Sequence, residues 1–424
     1  MRKNEVLAFA ASAVLLLSGA AQAAPAGDGR FHWSTKSGEA KTLLAELQGR
    51  IESFQFGPQN AEIAKKIVAA DPQFAMGHYY LAATSPANNL ETYQKARELA
   101  AQASDGERRF IEAMQPAFVN QGAAIAEAIA PLEAIGKDYP NERLLFVVLG
   151  QIYNGANRAD DARRAWQHAR EVGPPSLRVE TLLASDELLR GNYATALASF
   201  QSVESRLPKG SVPFGVRFGT TFGHLYEGRV DAAIASLRTY LDEYHASGSN
   251  QAFPDVFIWN AIARVNLENG RLEEAMTAYQ KGYESVPGSS LPEDQKQTWY
   301  GRLRHGKART LAKMGKHPEA WAETEAVREM IEKGGEPAKQ YWPAYHYLAG
   351  YVKLEAGDAK AAAEHLEKAD LDNPFHKLLL ARAYEKLGRT ADAKKNYEAI
   401  VASKWPGIER PLAFPEAKRK LQSS

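Results

Sequence analysis

The sequence predicts an all-α fold of stacked antiparallel helix pairs with almost no β-structure. The main observation is a period of 34 residues that three classes of residue share. A second observation is that no stretch alternates polar and apolar residues with the period of two that strands need. The repeating residues are Pro140, Pro174 and Pro208; Ala128, Ala162 and Ala196; and Leu132, Trp166 and Phe200.

Each class has a physical role in a helix pair. The small alanine is predicted where the second helix crosses the first closely, and the large residue fills the wedge between them. Proline ends the second helix because it lacks the N–H that would continue the hydrogen-bond ladder. One pair cannot bury its own apolar face, so neighbouring pairs must stack into an array.

The first 23 residues have the features of a secretory signal peptide. They begin with a positive stretch, continue with an apolar run over 6–17 and end with the small-x-small cleavage site Ala21-Gln22-Ala23. The chain has no cysteine, so it also lacks the residue that a bacterial lipoprotein modifies after its signal. We therefore expect an exported protein, periplasmic or secreted, that is not inserted in a membrane after cleavage of the signal.

The rest of the chain divides into four segments. We expect Phe31 and Trp33 to hold part of the first segment against the fold. The segments are a flexible leader at 24–37, an N-terminal helical segment of divergent repeats or a cap at 38–106, the repeat array at 107–405, and a C-terminal tail or capping segment at 406–424.

A glycine five residues before an alanine marks the turn into the second helix of six repeats. Glycine accepts the left-handed backbone that such a turn needs, and the alanine is the site of close contact. The pairs are Gly191 and Ala196, Gly228 and Ala233, Gly270 and Ala275, Gly315 and Ala320, Gly357 and Ala362, and Gly388 and Ala393.

The clearest unit covers residues 143–176. Its first helix carries Phe146, Leu149, Gly150 and Tyr153, and its second carries Ala162, Trp166, Ala169 and Pro174. This pattern resembles the tetratricopeptide repeat (TPR). The next unit departs from it at the tyrosine position, where Glu187 stands. The resemblance implies a right-handed superhelical solenoid whose concave groove is lined by the first helix of each pair.

Composition and motifs argue against several classes of function. The chain has 52 Lys and Arg against 51 Asp and Glu, so it lacks the basic excess that nucleic-acid binding calls for. It contains no phosphate-binding, dinucleotide-binding or nucleophile-elbow motif, and its histidines never have a metal-site spacing. We therefore expect no catalytic residue, no cofactor and no metal site.

The resemblance also implies which residues face the groove. Arginine holds carboxylates with two parallel hydrogen bonds, and tyrosine provides rigid contact area, so we expect a protein or peptide partner with acidic and aromatic groups. The alternative is that the arginines pair with neighbouring glutamates and the tyrosines fill the core. The candidate partner-binding residues are Asn260, Arg264, Arg302, His305, Arg309, Tyr347, Tyr351 and Arg382.

Two more specific sites were considered. The chaperone-binding carboxylate clamp of the family is absent, because the residues at its two central positions do not match in any repeat. An aromatic run is compatible with a glycan or proline-rich ligand, but packing between helices is the favoured interpretation. The run comprises Tyr341, Trp342, Tyr345, Tyr347 and Tyr351, with Trp299 and Tyr300 in the preceding repeat.

The predicted function is a non-catalytic scaffold for protein–protein interaction in the cell envelope. One alternative is an accessory or regulatory subunit of an envelope enzyme complex that docks through its loops or convex face. Another is an enzyme on a helical scaffold. The fold does not choose among the three, because repeats of this kind serve many pathways.

Overall fold

A computed structural model of the protein describes residues 27–55, 57–85, 89–119, 124–247, 255–289 and 291–423. The predicted signal peptide and residues 24–26 of the leader lie outside the described residues. All regular structure in the described part of the chain is helical, and it contains no strand. The prediction of an all-α, TPR-like fold is confirmed.

The chain divides into two compact units between Glu187 and Leu188. The helices of unit 1 are α1 (Gly38–Glu52), α2 (Pro58–Ala70), α3 (Ala75–Thr84), α4 (Asn89–Ala100), α5 (Asp105–Ala113), α6 (Ile129–Asp138), α7 (Arg143–Gly155), α8 (Ala159–Glu171) and α9 (Leu177–Arg190), which crosses the boundary. Each helix from α1 to α7 packs against the next along the chain.

Unit 2 begins with α10 (Tyr193–Ser205) and continues with helix pairs. The pairs are α11 (Phe214–Tyr226) with α12 (Val230–Ser247), α13 (Asp255–Glu268) with α14 (Leu272–Ser285), α15 (Glu293–Lys313) with α16 (His317–Lys333), α18 (Trp342–Glu355) with α19 (Ala359–Leu366), and α20 (Pro374–Lys386) with α21 (Thr390–Ala402). A single turn, α17 (Gly335–Ala338), precedes α18. The last helix, α22 (Glu409–Gln422), packs on both α20 and α21 and also contacts α11.

The predicted turns are confirmed. All six turn glycines have φ between 72° and 88°, and the alanine that follows each of them is buried. The wedge is visible at Gly150, where an added Cβ would lie 2.3 Å from Nε1 of Trp166. Local residue chemistry therefore accounts for the helix pairing.

The described part of the leader, residues 27–37, is anchored on unit 1. Phe31 is 6% exposed, and its ring lies 5.9 Å from that of Phe110 and 5.1 Å from that of Tyr139. Its backbone N–H donates to Glu142 at 3.0 Å. Phe31 thus holds this part of the leader against the fold, as expected, because one large aromatic side chain can fix a short extended segment in an apolar core.

Candidate partner-binding site in unit 2

The predicted partner-binding residues all lie on first helices of the pairs in unit 2. Asn260 and Arg264 lie on α13, Arg302, His305 and Arg309 on α15, Tyr347 and Tyr351 on α18, and Arg382 on α20. We call the surface formed by α11, α13, α15, α18 and α20 the first-helix surface. The structure brings side chains from several of these helices into direct contact on it.

Arg309 connects three helices. Its guanidinium is 4% exposed and donates from Nη1 to the hydroxyl of Tyr347 at 2.8 Å and from Nη2 to that of Tyr279 at 3.1 Å. Its Nε donates to the carbonyl oxygen of His305 at 3.1 Å. Because these partners lie on α14, α15 and α18, Arg309 contributes to holding consecutive repeats together.

Glu268 lies at the centre of the site, with a side chain that is 6% exposed. Its carboxylate is 3.5 Å from Nε of Arg264, 3.9 Å from Nη1 of Arg309 and 3.2 Å from Nζ of Lys313, and it accepts a hydrogen bond from Tyr351 at 3.2 Å. We call these five residues the Arg264 cluster. One carboxylate faces three cations, so the cluster favours the approach of another anionic group.

Arg264 has unmet hydrogen-bonding capacity. It is 9% exposed, and its Nε and Nη2 are buried without a hydrogen-bond partner among the described residues. The guanidinium lies 4.5 Å above the ring of Phe375, and Nη1 is 3.9 Å from a carboxylate oxygen of Glu409, which is too long for a hydrogen bond. A buried donor without a partner costs about 1–3 kcal/mol. A carboxylate placed here would recover that loss.

Two histidines lie beside the Arg264 cluster. Burial, together with the neighbouring arginines, lowers the pKa of His305 and that of His376 to about 3. His376 stacks on Tyr347 with ring centroids 4.0 Å apart, and its Nδ1 lies 2.8 Å from the carbonyl oxygen of Asp370. Both imidazoles are therefore neutral at pH 7, and the charge of the site comes from the arginines, Lys313 and Glu268.

The remaining predicted residues are less buried. Asn260, Arg302 and His305 are half-buried, and Arg302 lies 4.8 Å above the ring of Trp299. Arg382 forms two hydrogen bonds with Glu416 of α22, at 2.8 and 2.5 Å. The predicted residues thus fall into three groups. Some are buried and contact one another, some are half-buried at the edge of the Arg264 cluster, and Arg382 is already paired with α22. Their contact with a partner stays a prediction.

Sequence reasoning missed Glu268, Lys313, Tyr279 and His376. For two of them a signal was present, because Glu268 follows Arg264 by four residues and Lys313 follows Arg309 by four. This spacing places side chains on one face of a helix. The packing interpretation of the aromatic run is confirmed for Tyr345, Tyr347, Tyr351 and Trp299, all of which are buried.

A second surface feature lies along α12, α13 and α14. A groove of about 550 Å³ is lined by residues of α12, α13 and α14, including Arg238, Glu273 and Glu274. Within it, Nζ of Lys281 lies 4.8 Å above the ring of Trp259. This groove is open and combines apolar and charged side chains, whereas the Arg264 cluster is buried.

Two searches of the described residues gave no site of another kind. No group of three or more His, Asp or Glu side chains in them is placed to hold a metal ion. No helix in the described part of the chain has the length and apolar character to cross a membrane.

Comparison with known proteins identifies the repeats. Two tetratricopeptide-repeat family models match residues 223–290 and 377–403. No curated protein sequence matches the chain significantly. Helical repeats of this kind usually mediate protein–protein interactions and are generally non-catalytic.

Several solved structures align with this chain at low identity, and the one with a TM-score above 0.5 shows a similar fold. The apo form of RapI is 11% identical and aligns over 91% of this chain and 98% of its own, with a TM-score of 0.51. A tetratricopeptide repeat protein from Parabacteroides merdae is 17% identical over 69% of this chain and 99% of its own, with a TM-score of 0.46. The Cut9–Hcn1 structure is 13% identical over 84% of this chain, with a TM-score of 0.45, and only 57% of that chain is covered. These identities show the fold alone.

Proposed function

We propose that the protein is a non-catalytic interaction scaffold of the cell envelope, and that the first-helix surface around Arg264 binds an acidic, aromatic segment of a partner protein. The observation that carries this proposal is the buried guanidinium of Arg264, which has two donors without a partner inside a cluster with a cationic excess. A partner carboxylate would accept charge-assisted hydrogen bonds there. The envelope location rests on the signal-like features of residues 1–23.

The surroundings of Arg264 favour an aromatic group next to that carboxylate. The guanidinium already lies over Phe375, and the rings of Tyr347 and His376 stack beside it. Asn260 and His305, each one turn before an arginine of the cluster, are half-buried and lie where a partner would first make contact. Rigid rings and arginine are the side chains that contribute most to protein interfaces.

The experiment is crosslinking of the exported protein in cells followed by mass spectrometry. Arg264→Gln keeps a polar side chain and removes the charge, and it is preferable to a change at Arg309, which two hydrogen bonds tie to neighbouring helices. The matched control is Arg238→Gln, which lies in the groove beside α12. We expect at least a tenfold loss of partner crosslinks in the first variant and none in the second.

Two further measurements complete this test. Circular dichroism and thermal unfolding of Arg264→Gln establish that the variant is folded, and full capture of the partner by a folded variant would refute the proposed site. Sequencing of the N-terminus of the purified protein tests the export, with Ala24 expected as the first residue.

The groove beside α12 favours a second candidate function, that of an accessory subunit of an enzyme complex. Such a subunit would dock through this groove and not through the first-helix surface. Its Trp259 and Lys281 offer an aromatic–cation contact, and Glu273 and Glu274 add negative charge. The same experiment separates the two functions. Loss of crosslinks in Arg238→Gln, with none in Arg264→Gln, would favour the accessory subunit.

A further inference from the structure

The last helix, α22, occupies part of the first-helix surface. Phe414 packs edge-on against Tyr226 of α11 and Tyr193 of α10, at 5.6 and 5.9 Å between ring centroids, and these two tyrosines stack on each other at 4.3 Å. Arg410, one turn earlier, is buried and donates a hydrogen bond to the hydroxyl of Tyr226 at 2.6 Å. This end of α22 is held by an aromatic anchor and a cation.

The opposite side of α22 is held by charge. Glu416 forms the two hydrogen bonds with Arg382 of α20, and Lys420 pairs with Glu385 at 2.8 Å. Successive residues of a helix are 100° apart, so Phe414 and Glu416 point to nearly opposite sides of α22. The helix α22 therefore packs between α11 and α20 and contacts both. Its Glu409 is also the carboxylate nearest to Nη1 of Arg264, at 3.9 Å.

Several features make α22 easy to release. Pro415 lies inside the helix, where it removes one backbone hydrogen bond and crowds the preceding turn. Residues 403–408, which join α22 to α21, are not helical and contain Pro406 and Gly407, so the helix can detach by changes in this linker alone. Arg410 is buried with its Nε unpartnered, and the contacts of Glu416 and Lys420 are ion pairs that water can replace. The apolar contacts of α22 are those of Ala413, Phe414 and Ala417, which are buried.

We propose that α22 is a displaceable occupant of the first-helix surface, and that the partner binds by replacing it. The partner segment is a helix with an aromatic side chain for the Tyr193–Tyr226 pair and, on its other side, a carboxylate for Arg382. This inference rests on the proposed function, and it specifies the chemistry of the partner and the competition that controls access. Since only the open fraction of molecules binds, occupancy by α22 weakens the apparent affinity by that fraction.

The test uses the full-length chain and, as probe, a fluorescent synthetic peptide with the sequence of residues 404–424. The double variant Phe414→Ala with Glu416→Gln weakens the contacts of α22 with the two tyrosines and with Arg382. It leaves the first-helix surface itself unchanged. We expect the peptide to bind this variant at least tenfold more tightly than the wild-type chain. The matched control Arg419→Gln changes an exposed residue of α22 and should bind as weakly as wild type.

A charge swap tests the contact itself. Adding Arg382→Glu to the double variant should abolish binding of the peptide, and a peptide carrying Glu416→Arg should restore it. Binding of the unmodified peptide that is indifferent to Arg382→Glu, or equal binding to the double variant and to wild type, would overturn the inference.

Hydrogen exchange of the wild-type chain keeps the inference testable if the variants fold poorly. We expect the backbone amides of α22 to exchange at least tenfold faster than those of α20. Equal protection of the two helices would mean that α22 does not open, which would overturn the inference.

The two proposals fail separately. If partner crosslinks depend on Arg264 but are equally strong in wild type and in the double variant, α22 is not a competitor and the proposed function stands. If the peptide binds the double variant while partner crosslinks are unaffected by Arg264→Gln, the displaceable helix stands and the proposed partner site is wrong.

Discussion

Units 1 and 2 are built from the same kind of helix pair, but they fill their interiors differently. In unit 1 the interior is a chain of aromatic contacts, in which Phe110 lies 5.4 Å from Tyr79, and Tyr93 stacks on Phe118 at 4.2 Å. In unit 2 the first helices bury arginine and glutamate among the apolar residues of its core. The same architecture thus serves as an apolar support in one unit and carries a charged surface in the other.

The difference has an energetic meaning. Apolar contacts are non-directional and stabilise in proportion to the area buried. A buried ion pair loses much of its Coulomb energy to desolvation, and well-packed apolar residues often stabilise as well or better. The Arg264 cluster is therefore poorly explained by stability alone, which is why we propose that it recognises an anionic group.

The largest effect is expected in the aromatic interior of unit 1. Phe110→Ala removes a fully buried ring that contacts Phe31 and Tyr79, and it should lower the free energy of unfolding by about 4 kcal/mol, measured by urea denaturation. Leu90→Ala, at a residue that is 41% exposed, is the control and should change it by less than about 0.5 kcal/mol. A loss below about 1 kcal/mol for Phe110→Ala would mean that these rings do not form one interlocked core.

The next effect tests the charged interior of unit 2. Glu268→Gln leaves Arg264, Arg309 and Lys313 without their carboxylate and should lower the free energy of unfolding by about 3 kcal/mol. Glu329→Gln, which breaks an exposed pair with Lys333, should cost less than about 0.5 kcal/mol by the same measurement. Similar losses for the two variants would show that the charges of the cluster are solvated.

Acid should weaken unit 2 through its buried histidines. The pKa of His376 falls from an ordinary value near 6.5 to about 3 on folding, so the unfolded chain binds more protons between these values. Above pH 6.5 the imidazole is neutral in both the folded and the unfolded chain, so it does not make stability depend on pH. Below pH 6.5 it lowers the free energy of unfolding by roughly 1 kcal/mol per pH unit. His376→Gln should therefore make the stability of unit 2 less dependent on pH between 6.5 and 5, measured by denaturation at each pH.

In unit 1, two buried carboxyl groups make stability depend on pH in the opposite direction. Burial raises the pKa values of Glu107 and Glu142, so each of these two carboxyls favours the folded state more as the pH falls from its folded pKa to its ordinary pKa. An unaltered profile of unit 2 in His376→Gln would contradict the assignment of this acid sensitivity to His376.

The smallest effect compares equivalent turns in the two units. Gly270, after α13, has φ of 78°, whereas Asn157, after α7 of unit 1, has φ of 60°. Gly270→Ala should cost about 1 kcal/mol, and Asn157→Gly should gain less than about 1 kcal/mol, because side chains crowd the left-handed region. The control is Gly155→Ala, which should raise the free energy of unfolding instead of lowering it. Gly155 lies in a helix with open space around it, where alanine is the better helix former. Equal effects of Gly270→Ala and Gly155→Ala on the free energy of unfolding would contradict the special role of the left-handed backbone at Gly270.

Much of the fold could be predicted because its signals are local. The glycine and alanine of each turn act on residues next to them in sequence, and the six predicted turns have the expected backbone. The anchoring of the leader by Phe31 was only partly foreseen, because its ring partners Phe110 and Tyr139 lie far away in sequence. Local patterns do not reveal contacts of that range.

The candidate site shows the same division. The resemblance to the tetratricopeptide repeat was what placed Arg264 and Arg309 on one surface, and the helical spacing of four would also have included Glu268 and Lys313. The sequence by itself thus determined the helix pairs, their turns and the side chains that share a face. Only the tertiary structure decided that Tyr351 reaches Glu268 across 83 residues and that α22 delivers Glu416 to Arg382. The reason is that each contact depends on small rotations between successive pairs, which sum over the stack and are set by packing along its whole length.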